Sequence, residues 1–114
     1  MDQVTRPRVV LILTTVPSDV LGEQIATALV SERLAACVHV GSPMTSIYRW
    51  KGSVEREPEH QLTIKTTEER VRVVQRRIKE LHSYELPEFL VIDVDDGSDE
   101  YVKWILSASA EERH

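Results

Sequence analysis

Val38-His39-Val40-Gly41-Ser42-Pro43-Met44-Thr45-Ser46-Ile47-Tyr48-Arg49-Trp50, then Lys51-Gly52, then a return from Ser53 to Thr66, is the stretch that decides the fold. Extended-chain residues flank Lys51-Gly52, and Gly52 tolerates the positive φ that a tight hairpin turn demands. On the return strand Leu62 and Ile64 point to one face while Gln61, Thr63 and Lys65 point to the other. Gly41-Ser42-Pro43 interrupts the outgoing strand and predicts a bulge or kink. Pro58 has no N–H for a ladder, so it belongs at an edge, a bulge or an intersubunit position. Strands over Leu34–Trp50 and Ser53–Thr66 are more than twice the ~5–6 residues of an ordinary sandwich strand. Their far ends, with Ile47, Tyr48 and Trp50, must leave the core. Large aromatics on a projecting ribbon with free edges invite pairing, and a closed homo-oligomer satisfies them.

Outward from the hairpin, Arg8–Val16 is rich in β-branched residues on both faces and reads as a buried strand ending at Pro17. Ser18 is placed as an N-cap, with Asp19 in the first turn where negative charge suits the helix dipole. Leu21, Ile25, Ala28 and Leu29 recur at helical spacing up to about Glu32. Thr66 with Glu69 forms a capping-box pattern. Val71, Val74, Ile78 and Leu81 then define an amphipathic helix that must end before Pro87. Phe89–Val94 is a further strand and Asp95-Asp96-Gly97 a turn. Ser98 caps a short last helix with Tyr101, Val102, Ile105 and Leu106 inward. The order β-α-β-β-α-β plus a helix is an α+β, ferredoxin-like (split βαβ) arrangement. We expect a single domain over residues 1–114, with its core at about 8–109.

Composition narrows the function. At 114 residues and 41% hydrophobic the chain is long and apolar enough to fold without staples. Cys37 is the sole cysteine, which fits a reducing compartment and excludes an intramolecular bridge. Arg6 and Arg8 before Val9–Leu13 resemble a signal peptide superficially, but the apolar run is too short and no small-residue cleavage site follows. No apolar stretch approaches the ~20 residues of a membrane span. The expectation is a cytoplasmic protein without a membrane partner. A net charge of −5 argues against a nucleic-acid partner. The cations Arg70, Arg72, Arg76, Arg77 and Lys79 crowd one helix, but Glu68, Glu69 and Glu80 interleave with them, as on a solvated face. No phosphate loop and no Cys-x-x-Cys occurs.

His82, Tyr84, Glu85, Pro87 and Glu88 form the densest polar and aromatic cluster. His82 and Glu88 offer N and O donors of the kind that ligate Cu²⁺ or Zn²⁺. A histidine in the last turn of a helix also answers to the dipole and the free carbonyls there. Two donors leave a site incomplete, so others must come from elsewhere or from another subunit. Cys37 reads as a small core hydrophobe, and His60 and His114 as ordinary surface histidines. Asp95, Asp96, Asp99 and Glu100 fit a turn and a helix start. No base–nucleophile–orienter spacing is evident, so no enzyme is expected.

Leu34-Ala35-Ala36-Cys37-Val38, Ser46-Ile47-Tyr48-Arg49-Trp50-Lys51-Gly52, Ile64-Lys65-Thr66-Thr67 and His82-Ser83-Tyr84-Glu85-Leu86-Pro87-Glu88 follow in one order. Together they resemble the CutA divalent-cation tolerance proteins, from about Val9 to Ser109. The resemblance implies trimers of ferredoxin-like subunits, similar to the PII signalling proteins, with intersubunit sheets built by the long hairpins. It also implies a link to tolerance of copper and other divalent cations, with metal contacts at His82 and Glu88. A cysteine expected among those contacts is Thr14 here, which removes a soft ligand. Ser83 stands where the family usually has proline.

Two functions follow from these readings. The first is a homotrimeric metal-ion tolerance protein with His82 and Glu88 contributing to intersubunit sites for Cu²⁺ or Zn²⁺, with no obligatory cofactor. The second is a PII-like sensor or scaffold that binds a small anion or protein partner in the intersubunit cleft. Tyr48, Trp50, Lys65, Tyr84 and Glu88 would line that cleft, with Lys65 as the anion contact.

Overall fold

The computed structural model describes residues 7–111; Arg6 and His114 lie outside them. β1 (Val9–Val16) leads into α1 (Asp19–Ser31), then β2 (Cys37–Trp50) and β3 (Ser53–Thr67). A 3-10 turn (Glu68–Arg70) precedes α2 (Val71–Leu81), β4 (Leu90–Asp93) and α3 (Asp99–Ala108). The strands form one antiparallel sheet in the order β2-β3-β1-β4. This is the expected α+β ferredoxin-like arrangement with a long β2–β3 hairpin.

Local chemistry explains each element. Ser18 Oγ accepts from the Leu21 N–H at 3.2 Å and Ser98 Oγ from the Tyr101 N–H at 3.3 Å, so both expected N-caps form. Ile25 and Leu29 of α1 and Val71, Val74 and Ile78 of α2 are buried against Val10, Ile12, Val16, Leu62 and Ile64. The helices thus cover one sheet face. On the other face α3 covers one end, with Ile105 against Val9 and Ala36. Arg77 joins α2 to α1 by a paired contact to Glu32, and Arg70 donates to the Ser109 carbonyl. Part of the basic face therefore ties helices together.

Two expectations about the helices change. Thr66 does not cap α2: its hydroxyl is buried and donates to the Leu34 carbonyl at 2.7 Å, while the helix starts through the 3-10 turn. Tyr101 does not point inward. It is 44% exposed, and its hydroxyl accepts from Lys65 Nζ at 3.0 Å.

The hairpin is the outsized part. β2 and β3 hold 14 and 15 residues against 8 in β1. β1 pairs with β3 only from Thr67 back to His60, so Ser53–Glu59 have β2 alone as neighbour. Pro58 lies in that edge segment, where a missing N–H costs little. The predicted irregularity appears as a register shift between Val40 and Pro43. His60 Nδ1 meets the Gly41 carbonyl there at 2.8 Å, so this histidine anchors the bulge instead of idling at the surface. A side chain at Gly41 would come 3.0 Å from the Gln61 carbonyl oxygen, which accounts for the glycine.

Lys51 and Gly52 both take positive φ, 48° and 85°, as a two-residue hairpin turn requires. A Cβ at Gly52 would touch nothing within 4 Å, so only backbone strain opposes one. Gly52→Ala is expected to lower the unfolding free energy by about 1 kcal/mol in urea denaturation, without altering the denaturant slope.

Candidate functional site: an acidic, aromatic cleft beside the hairpin

The segment after α2 cannot continue the helix through Pro87, and it crosses back over the end of β1 to reach β4. Two side chains pin it. His82 Nε2 lies 2.7 Å from the Thr15 carbonyl of β1, and a carbonyl only accepts, so Nε2 carries the proton. His82 Nδ1 then accepts from the Tyr84 N–H at 3.1 Å. The two rings pack with centroids 4.6 Å apart. Tyr84 reaches onward and donates its hydroxyl to Glu59 Oε2 of β3 at 2.7 Å. Strand end, loop and ribbon are joined by this chain of bonds.

Between loop and ribbon lies an open groove of about 840 Å³. Tyr48, Trp50, Tyr84 and Glu88 line it, together with Met44, Leu86, Glu59 and Glu85. Four of the expected residues therefore meet in one place. His82 does not line the groove, and both of its ring nitrogens are engaged; to bind a metal through Nδ1 it would have to release the Tyr84 N–H. Lys65 is not there either. Its ammonium is held on α3 by Tyr101, at 3.0 Å from the hydroxyl and 5.1 Å from the ring centroid. Within one chain, Lys65 therefore stands apart from this groove.

The groove's charged lining consists entirely of carboxylates. Burial, reinforced by the charge of Glu59, raises the Glu88 carboxyl above the ordinary value of 4.5. Burial and the bond to Glu59 push the Tyr84 phenol well above its usual range. The Tyr48 phenol is raised too, by desolvation first and then by Glu57, Glu55 and Glu59. Both phenols stay protonated at neutral pH, and that of Tyr84 donates to Glu59. Glu59 escaped the sequence reading, although a signal was present: Glu55, Glu57 and Glu59 alternate onto one strand face, in register with Tyr48, Ser46 and Met44.

Thr14, where the resemblance expects a thiolate, is fully buried on β1 and does not line the groove. Its Oγ1 has no hydrogen-bond partner among the described residues. No group of three or more His, Cys, Asp or Glu side chains is placed to hold an ion among those residues.

These features define a ferredoxin-like domain that carries an acidic, aromatic cleft at the root of a projecting hairpin. Comparison with known proteins names the family. Residues 10–108 match the model of the CutA1 divalent ion tolerance protein family. The divalent-cation tolerance protein CutA of Thermus thermophilus is 43% identical over 95 residues, covering 83% of this chain and 92% of that protein. The solved Thermus thermophilus structure superposes with a TM-score of 0.88 at 40% identity, over 90% of this chain and 99% of that one. The chain belongs to the CutA1 family. Relatives differ in length and place. The chloroplastic CutA of Arabidopsis thaliana is 31% identical over 88% of this chain, which spans 55% of that longer protein. The Archaeoglobus fulgidus structure, described as periplasmic, gives a TM-score of 0.87 at 32% identity, over 90% of this chain and 99% of that one. In this chain no described helix is long and apolar enough to cross a membrane.

A buried hydroxyl without a partner destabilises, and valine matches threonine in shape. Thr14→Val is expected to raise the unfolding free energy by about 1–2 kcal/mol. Calorimetric Zn²⁺ titration of the same variant should match the parent, because Thr14 is walled off from the groove.

Proposed function

We propose that this chain acts as a homotrimer that binds divalent metal ions, Cu²⁺ and Zn²⁺ among them, in the response to such ions. The supporting observation is the groove's charge: Glu59, Glu85 and Glu88 line it with no cationic side chain beside them. Glu59 is buried and Glu88 half-buried near it; carboxylates so placed repel, and a divalent cation removes that repulsion. Glu88 and Glu59 are the oxygen donors in this reading. His82 joins them only by releasing Tyr84; until then it holds the loop in place. Water or a neighbouring subunit completes the ligand set. With Thr14 buried and no thiolate in the groove, the site favours borderline and hard ions over Cu⁺.

Trimeric assembly is supported by what one subunit leaves bare. Ile47 and Val54 on the ribbon are 60% and 64% exposed, and Leu90 and Ile92 on the edge strand β4 are 56% and 46% exposed. The number three rests on family likeness. Native mass spectrometry is expected to return three times the 13.0 kDa of one chain, and a monomer at micromolar concentration would remove the trimer from the proposal. We read the protein as a binder rather than an enzyme, because His82, next in sequence to the groove-lining Ser83, is committed at both ring nitrogens. A free thiol at Cys37 is consistent with cytoplasmic residence. The single domain over 1–114 is retained in this proposal.

The Glu88 carboxyl is raised by folding, so its contribution to stability is complete below 4.5 and is lost as pH rises through the folded value. A bound cation reverses that preference. Zn²⁺ affinity measured by calorimetry should therefore fall as pH is lowered through the range just above 4.5. Glu88→Gln should weaken binding by about tenfold or more and flatten this pH dependence. An unchanged isotherm in Glu88→Gln would sink the assignment.

A further inference from the structure

We infer that the same cleft binds an organic ammonium ion, a protonated amine on a short aliphatic stem, in addition to the metal ions of the reading above, on which this inference rests. Glu59 carries the argument. It is 8% exposed, and no lysine or arginine pairs with it among the described residues. One of its carboxylate oxygens accepts from Tyr84; the other has no hydrogen bond there. A largely buried carboxylate whose second oxygen stays open to a donor is matched by one that brings positive charge.

The rest of the lining says which kind of cation. Tyr48, Trp50 and Tyr84 share the groove with Glu59. Tyr48 and Trp50 alternate onto the ribbon face that carries Glu55, Glu57 and Glu59. Ring faces attract an ammonium group, and the Trp50 ring already does so: Lys51 Nζ stands 5.6 Å from its centroid. Met44 and Leu86 supply apolar wall for a stem. A hydrated metal ion uses the carboxylates but gains little from rings and methyls. A protonated amine uses all three, donating to Glu59, lying against the rings and covering apolar surface.

The test uses the full chain with Trp104→Phe, which leaves Trp50 as the sole tryptophan reporter. It is titrated separately with 1,4-diaminobutane, with its neutral analogue 1,4-butanediol, and with Zn²⁺. Diaminobutane is expected to shift Trp50 emission with Kd of about 1 mM or tighter, and butanediol to bind at least about tenfold more weakly. Glu59→Gln keeps an acceptor for Tyr84 but loses the charge, and should cost the amine about tenfold or more. Trp50→Leu, read by calorimetry, should weaken the amine more than it weakens Zn²⁺. Native mass spectrometry confirms that each variant assembles as the parent does. Zn²⁺ binding without amine binding overturns this inference and leaves the metal reading standing; binding of neither overturns both. Equal affinity for the diol, or no loss in Glu59→Gln, also overturns it, since the groove would then be selecting by shape alone.

Discussion

The length of β1 governs the molecule. Its eight residues pair with β3 as far as Val16 and His60, and beyond that point β3 has a partner on one side only. Sheet becomes ribbon at this junction. The β2 bulge falls at the same level, with the Gly41 carbonyl held by His60 and the Gly41 Cα pressed close to Gln61. A bulge adds local twist and re-aims the strand beyond it. The core is complete without the ribbon, because Val10, Ile12, Leu62 and Ile64 already meet both large helices below the junction. What lies above it contributes little to the subunit's own packing and much to its surface.

The cleft is a by-product of that geometry. The loop after α2 must return to β4 across the end of β1, and the ribbon rises beside it. His82 ties the loop to Thr15 near the end of β1, and Tyr84 ties it to Glu59, one residue before the junction histidine. A groove held open by two hydrogen-bonded struts keeps its polar groups oriented before any ligand arrives, so less ordering is required on binding. His82 has a structural task here, but with a carbonyl of β1 instead of the helix-end carbonyls that its sequence position suggests.

Periodicity carried most of the fold. The two serine caps, the buried pattern of α2, the bulge at Gly41–Pro43 and the two-residue turn were all legible, because each depends on residues close in sequence. Failures came where a distant group intervened. Thr66 has a capping partner in sequence, yet the Leu34 carbonyl, 32 residues away, claims its hydroxyl. Tyr101 sits at a helical position that looks buried, but Lys65 on β3 meets it at the surface. In the site, Tyr48, Trp50, Tyr84 and Glu88 were found as local aromatic and acidic signals. Glu59 was not, since its burial depends on Tyr84 arriving from 25 residues further on.

Charge alone would not single out this cleft, because acidic groups are spread over the whole chain, which carries −5. Burial and pairing do. Glu32 and Glu80 are neutralised by Arg77, and Glu68 by Arg8. Asp95, Asp96, Asp99 and Glu100 are exposed, where water and salt screen them. Among the described residues Glu59 alone combines deep burial with a missing cation, and the Glu88 carboxyl is raised by its own burial and then by the charge of Glu59. The net negative field draws cations to the surface in general. At Glu59 and Glu88 that general attraction meets two carboxylates drawn out of bulk water, set beside the three rings of the ribbon and loop.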